Sequence, residues 1–259
     1  MLVANRSPAA LELFVLPVLG DEGGPAPMTK VAALGLPPVD HGCHIARVLF
    51  YSLPTKNAVI HNHRPHDSAV HTKPFIDASS DDIIVICVNI GSRRGYDNLS
   101  LIVHSSVLLR HISTHVDLHI VPWHQWGPTS TRCCDGSIFP IISVCGQRCI
   151  VSNVGSWEIW DFNPYRVKRL GRDFVMETVT GCLSVEGRES CAKSWGIQGG
   201  VCTSLPFVKH RPKELPDYSY VFLDCDRVFG ERVSTIYFTS SVQLFNGFGV
   251  TVYVLTGTG

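Results

Sequence analysis

The amino-acid sequence predicts an all-β fold, mainly antiparallel, with one short helix. Three observations support this prediction. Short apolar or alternating segments recur along the 259 residues, and turn-forming glycines and prolines separate them. Hydrophobic residues make up 45% of the chain and charged residues 17%, which favours a folded core over disorder. No segment has the pattern of the long helices that connect parallel strands.

The first half of the chain is predicted to alternate strands with loops. Residues 1–29 are interpreted as an atypical N-terminal strand and loop. Residues 52–80 are interpreted as a long surface loop, because they are polar, rich in histidine and interrupted by prolines. Residues 83–90 form a continuous Ile/Val/Cys run, which is typical of a strand buried on both faces. The strands predicted in this half are 10–16, 45–51, 83–90 and 99–104.

Residues 105–115 are the one segment that the sequence predicts as a helix. Apolar residues recur on one helical face, and Ser105 or Ser106 is suited to cap the N-terminus. A strand-like alternation from Val116 onward, followed by Pro122, ends the helical pattern.

The second half of the chain is predicted to contain a close series of strands. Many lie about ten residues apart between glycine turns, a spacing typical of a sandwich or a propeller. No repeat of fixed period is visible, so the pattern is WD-repeat-like at most. We therefore predict a single propeller-like β domain over residues 1–259, as a complete or an incomplete ring. The strands predicted in this half are 138–144, 148–152, 157–162, 174–179, 201–208, 220–224, 233–239, 242–245 and 250–255.

Charge and cysteine content bear on the partners and the compartment. The 22 Lys and Arg residues balance the 22 Asp and Glu residues, so we expect no bulk attraction to nucleic acid or to an anionic membrane. No segment predicts a transmembrane helix, and the start lacks the pattern of a signal peptide. The ten cysteines are expected to be reduced core residues of an intracellular protein, cytoplasmic or nuclear.

Histidine is the residue type that most suggests a metal site. The two groups are His61, His63, His66 and His71, and His111, His115, His119 and His124. A helix through residue 119 would place three histidines of the second group on one face, as zinc ligands require, but the alternation after Val116 breaks that geometry. No HExxH motif supplies a catalytic base. Solvated or half-buried histidines are therefore the preferred interpretation.

The remaining polar constellations predict no catalytic, cofactor or metal site. Cys145 and Cys149 have one residue too many between them for a CxxC redox motif and are interpreted as core residues of adjacent strands. GxSxG, P-loop and GxGxxG motifs are missing from the sequence. Two carboxylate pairs are interpreted as the polar end of a strand and as solvent-facing turn residues: Asp224 with Asp226, and Asp81 with Asp82.

Basic and aromatic clusters each allow two interpretations. Tyr165–Arg169 and Lys209–Lys213 could touch nucleic acid, but on a neutral chain a solvated rim is preferred. Paired tryptophans could form a binding surface, whereas in a β protein they are more often packing anchors between sheets. The pairs are Trp123/Trp126 and Trp157/Trp160.

One ordered series of motifs resembles a protein family. The segment Val121–Arg132 is a Trp/Pro/Gly module, and Gly146–Arg148 and Trp157–Val167 follow it at close range. Together they resemble a large group of basidiomycete F-box-associated proteins. The likeness covers roughly residues 30–259, because further motifs agree in the expected order. These are Leu36–Pro38, Pro74–Phe75, Asp81–Ile84, Val103–His104, Thr203–Phe207, Val221–Asp224 and Arg227–Gly230.

The likeness is to the C-terminal part of these proteins, which implies a propeller-like region that selects a target, whereas the family's N-terminal F-box is expected to be absent from this sequence. We therefore expect a non-enzymatic protein-interaction scaffold with no cofactor, similar to the target-recognition region of F-box-type ubiquitin-ligase adaptors. Its partner would be a protein, and loops such as 52–80 and 181–199 would build the interaction face. The alternatives are a metal-binding protein or hydrolase that uses the histidine groups, or a truncated, non-functional fragment.

Overall fold

The fold is known from a computed structural model of the chain. The structure describes residues 2–6, 9–15, 28–52, 81–93, 95–112, 119–134, 141–153, 156–171, 174–178, 181–187, 189–192, 196–212, 220–223, 227–235 and 246–254. Several sequence predictions lie outside these residues, namely the loop 52–80 apart from Ser52, the strand 242–245, and the carboxylate pair Asp224 and Asp226.

Short strands dominate the described part of the chain. In order they are β1 (Leu2–Arg6), β2 (Ala9–Val15), β3 (Thr29–Gly35), β4 (His44–Tyr51), β5 (Ile83–Ser92), β6 (Gly95–His104), β7 (Ile120–Val121), β8 (Thr131–Cys134), β9 (Ile141–Cys145), β10 (Arg148–Asn153), β11 (Ser156–Asp161), β12 (Val175–Thr178), β13 (Gly181–Glu186), β14 (Ser190–Ala192), β15 (Val201–Thr203), β16 (Phe207–Pro212), β17 (Tyr220–Leu223), β18 (Arg227–Thr235) and β19 (Asn246–Val254). The helices are α1 (Ser105–Leu109), α2 (Trp123–Ser130) and α3 (Pro164–Leu170).

The mainly antiparallel β class predicted from the sequence is confirmed. Among the described strands, β3 with β7 is the one parallel pairing. The first sheet has the strand order β1-β2-β3-β7 and the second β4-β5-β6-β8. The third has the order β12-β13-β16-β11-β10-β9 and the fourth β17-β18-β19. A separate two-stranded sheet pairs β14 with β15.

Strand β5 is buried on both faces, as its apolar run predicts. Because side chains alternate between the faces of a strand, Ile83 and Val85 join one apolar layer, and Ile86 and Ile90 join another. Burial of each such side chain contributes about 1.5–3 kcal/mol. Strand β5 therefore ties the second sheet to the sheets on both of its sides.

Three apolar layers join the four larger sheets. The first layer lies between the first and second sheets, the second layer between the second and third, and the third layer between the third and fourth. The sheets are therefore stacked face to face, broadly in the order in which the chain forms them. Residues that represent the three layers are Leu34 with Leu101, Ile102 with Val151, and Ile159 with Val221.

Helix α1 matches the predicted helix but is shorter than residues 105–115. Its N-cap residue is His104 rather than either predicted serine. The capping acceptor is Asp81, whose Oδ1 accepts a hydrogen bond from the backbone N–H of Ser106 at 3.0 Å. Because Asp81 is distant in sequence, this cap could not be recognised from the helix's own residues.

The prediction of a single helix is wrong, because α2 and α3 are also present. Helix α2 contains Gly127 and Pro128, two residue types with low helix propensity. For this reason the sequence did not predict a helix there. Glycine is required at this position by packing. A Cβ on residue 127 would overlap the ring of Trp123.

Helix α3 is held at both ends by its flanking residues. The side-chain oxygen of Asn163 accepts hydrogen bonds from the backbone N–H groups of Tyr165 and Arg166 at 3.0 and 3.1 Å. Pro164 opens the first turn, and Gly171 follows the last turn with a φ of 80°, which favours glycine. These signals are visible in the sequence, but a helix of 7 residues shows too little periodicity to be predicted.

Several predicted boundaries are corrected by the sheet pairing. Residues 201–208 form two strands, β15 and β16, in different sheets, because the chain between them bonds to α2 through Ser204 N–H and Pro128 O at 2.9 Å. The predicted loop 181–199 contains β13, which lies inside the third sheet, and β14. That segment is therefore not the predicted loop face. Residues 1–29 contain the hairpin β1–β2, where one strand was expected.

Candidate functional site

The second histidine group is dispersed where the structure describes it. His111 lies in the turn after α1, and His119 and His124 are exposed before and on α2. His115 and the first histidine group lie outside the described residues. Within the described ranges, no group of three or more His, Cys, Asp or Glu side chains is arranged to hold a metal ion.

Cys145 and Cys149 lie on opposite faces of the third sheet, so they cannot act as a redox pair. Cys145 belongs to the third apolar layer and Cys149 to the second, which confirms their interpretation as core residues. Neither of them forms a disulfide.

The expectation that the cysteines are reduced holds for seven of the described cysteines, which form no disulfide. It is wrong for Cys202, which is disulfide-bonded. The pairing of β14 with β15, which sets the backbone of Cys191 opposite Cys202, was not recognisable in the sequence. Cysteine usage therefore gives no basis for an intracellular compartment.

Burial should protect the thiols of the second apolar layer from alkylation. Burial raises the pKa of Cys134 well above its ordinary value and raises that of Cys149 as well. Because the thiolate is the reactive form, we expect iodoacetamide at about pH 8 to modify the half-buried Cys43 first. Mass spectrometry of the native protein over time tests this order. Equal rates at all three thiols would contradict it.

Asp81 is not the solvent-facing turn residue that the sequence predicted. Besides capping α1, its Oδ2 lies 3.5 Å from Nδ1 of His104. Its backbone oxygen accepts a hydrogen bond from Nε2 of Gln147 at 3.2 Å. These contacts connect the second sheet with the β9–β10 hairpin of the third, so Asp81 has a structural role between sheets.

Tryptophan side chains act as packing anchors in two of the apolar layers. In the first layer, Nε1 of the buried Trp126 donates to the backbone oxygen of Gly35 at 2.9 Å, and its ring meets Trp123 edge-on at 5.1 Å between centroids. In the second layer, Trp160 stacks on Phe207 at 4.3 Å. The preferred interpretation as anchors is confirmed for these tryptophans.

The two basic segments converge on neighbouring elements of the third sheet, because β16 pairs with β11 and α3 follows β11. On β16, Nζ of Lys209 lies 2.8 Å from Oε1 of Glu186. Nε of Arg211 donates to Oε1 of Glu158 at 2.9 Å. Lys209 and Arg211 are therefore each paired with a separate carboxylate. These ion pairs link neighbouring strands of the third sheet. Lys213 lies outside the described residues.

A second set of cations surrounds Asp161 on the other face of the sheet. Nε of Arg148 and Nη1 of Arg166 lie 3.1 and 2.7 Å from the same oxygen, Oδ2. Oδ1 accepts the backbone N–H of Asn163 at 3.0 Å. Three further side chains of α3 beside this cluster are exposed. We call these residues the α3 corner: Arg148, Asp161, Tyr165, Arg166, Lys168 and Arg169.

His210 on β16 should make the protein sensitive to acid. Burial lowers its pKa below the ordinary value of 6.5, and the charge of Arg166 lowers it further. Between the two pKa values the unfolded state binds more protons, so stability falls as the pH falls below about 6.5. We expect His210→Gln to remove the part of this acid-induced loss of stability that comes from His210. Urea midpoints at about pH 7 and pH 5.5 test it, and an equal acid loss in both proteins would contradict it.

Comparison of the chain with protein-family models, curated proteins and solved structures finds no match. The resemblance to F-box-associated proteins therefore rests on the sequence motifs. Among the described helices, none has the length and apolar character needed to cross a membrane.

Proposed function

We propose that this chain is a non-enzymatic protein-interaction scaffold with sheets arranged like propeller blades, similar to the target-recognition region of F-box-type ubiquitin-ligase adaptors. The observation that carries this proposal is the face-to-face stacking of four sheets through three apolar layers. Propellers consist of four-stranded antiparallel sheets packed in this way around a centre. The second sheet, with the order β4-β5-β6-β8, supports the proposal because it has four strands, all paired antiparallel.

A stack of packed sheets of this kind can support interaction through the segments at its ends. Strands β6 and β11 end close together, where the rings of His104 and Phe162 meet edge-on at 6.5 Å between centroids. Helix α1 begins at the first of these ends and α3 just beyond the second. Binding residues are commonly placed on such connecting segments because the scaffold beneath them is rigid.

Two measurements on the full chain test the proposal. Electron-microscopy class averages should show sheets radiating from a centre, and a side-by-side sandwich would contradict the architecture. Affinity purification from cells that express the protein should recover one protein in stoichiometric amount at physiological salt. No partner after gentle crosslinking would contradict the scaffold function. About one equivalent of bound zinc that is lost in His111→Ala would favour the metal-binding alternative.

A further inference from the structure

We propose that the α3 corner is the docking surface of this scaffold for an acidic segment of a protein partner. The inference rests on the scaffold function proposed above and adds the place and the chemistry of the contact. It is carried by an excess of positive charge, by the burial of the one carboxylate of the corner, and by an exposed aromatic side chain among the cations.

The α3 corner contains more cations than carboxylates. It contains four basic residues and one carboxylate, so its net charge is 4 − 1 = +3. Arg148 and Arg166 share the single carboxylate of Asp161. Lys168 and Arg169 are exposed and have no ion pair with another described residue. On β16, by contrast, Lys209 and Arg211 are each matched by a glutamate.

The carboxylate of Asp161 is hidden from an approaching partner. Its side chain is 4% exposed, whereas that of Arg166 is 41% exposed and that of Arg148 30%. The charged groups at the outer surface of the corner are therefore cations. The lowered pKa of His210, caused first by burial and then by the charge of Arg166, is consistent with a positive local potential.

Tyr165 supplies an apolar contact among these charges. It is 79% exposed, and the Asn163 cap fixes its backbone in the first turn of α3. Tyrosine is enriched among residues that dominate binding energy, because a large ring is ordered at low entropy cost. An acidic segment with an apolar residue would match this arrangement of an aromatic ring beside two free cations.

An acidic protein segment fits the corner better than nucleic acid does. A protein that binds duplex DNA can neutralise about 6–10 phosphates, whereas on α3 only Lys168 and Arg169 have no ion pair with another described residue. The chain as a whole has a formal net charge of zero, so the rest of the chain adds no net positive charge that would attract a long polyanion.

Fluorescence anisotropy with a defined probe tests the proposal. The probe is a short fluorescein-labelled polyglutamate peptide with one central leucine, titrated with the full chain at low salt and at about 0.3 M salt. We expect salt-sensitive binding, weakened about tenfold or more by Lys168→Glu/Arg169→Glu. Tyr165→Ala should weaken it by a smaller factor. All three positions are exposed, and unchanged circular dichroism will show that the fold is kept.

A matched variant separates the corner from a general charge effect. Arg47→Glu/Arg93→Glu reverses two exposed charges, one on β4 and one in the turn after β5, and should change the peptide affinity by less than about twofold. Equal loss in both double variants would overturn the proposal, as would no binding of the peptide. Tighter binding of a thymidine oligonucleotide of equal length, lost in the corner variant, would show a nucleic-acid surface and also overturn it.

The two proposals fail in different ways. If the corner variant retains the co-purified partner at the wild-type level, the corner is not the docking surface, and the scaffold function stands. If no partner is recovered with the wild-type chain, the scaffold function is contradicted, whatever the result of the peptide titration.

Discussion

Replacing Trp126 by alanine is expected to lower the free energy of unfolding by about 3–5 kcal/mol. The side chain is 2% exposed in the first apolar layer, so its removal leaves a large cavity. It also leaves the backbone oxygen of Gly35 without the indole donor that lies 2.9 Å away. The edge-on contact with Trp123 is lost as well.

Urea unfolding followed by far-ultraviolet circular dichroism measures this change. Tyr165→Ala is the matched control, because it removes an aromatic ring that is exposed, and it should alter stability by no more than about 0.5 kcal/mol. Trp126→Phe keeps most of the volume and removes the donor, so it separates the hydrogen bond from the packing. A loss below about 1 kcal/mol in Trp126→Ala would show that α2 is not anchored on the first sheet.

Replacing Phe207 by alanine in the second apolar layer is expected to lower the free energy of unfolding by a similar amount, about 3–5 kcal/mol. The ring of Phe207 stacks on Trp160 at 4.3 Å and on Phe162 at 5.3 Å between centroids. The guanidinium carbon of Arg132 lies 4.9 Å from the centroid of the same ring. Without that ring, Arg132 keeps a buried charge beside a cavity, which adds to the cost.

Two variants locate the source of this effect. Phe207→Leu retains apolar volume and loses the aromatic contacts. Its free energy of unfolding should therefore lie between that of the wild type and that of Phe207→Ala. Phe222→Ala removes a phenylalanine that is 47% exposed on the fourth sheet, and its cost should be clearly smaller. Equal losses in Phe207→Ala and Phe222→Ala would mean that the second layer does not depend on the aromatic stack.

The β class and most strands could be predicted because the sequence patterns that produce them are local. The apolar run of β5 indicates burial on both faces, and the structure places it between two layers. Helix α2 could not be predicted, because the contact that selects Gly127 is with the ring of Trp123 in the folded helix. The strand β13 could not be predicted because its short sequence has no clear strand pattern. Its pairing with β12 and β16 on either side stabilises it as a strand.

The α3 corner was only partly visible in the sequence. The basic run Tyr165–Arg169 was recognised, but its excess charge depends on which carboxylates face it. Arg148 reaches Asp161 because the β10–β11 register sets the two directly opposite each other. The carboxylates that neutralise Lys209 and Arg211 come from other strands. Such pairing is a property of register, which a single sequence does not specify.

The serial stacking of the sheets implies a graded resistance to opening. Each large sheet is stabilised by the apolar layers that it shares with its neighbours. As in repeat proteins, the stability of one sheet therefore depends mainly on the sheets next to it. The fourth sheet is held through the smallest of the three layers among the described residues, whereas β5 contributes to two. Amide protons of β17 should therefore exchange with solvent through partial opening well before those of β5, which should exchange only when the whole chain unfolds.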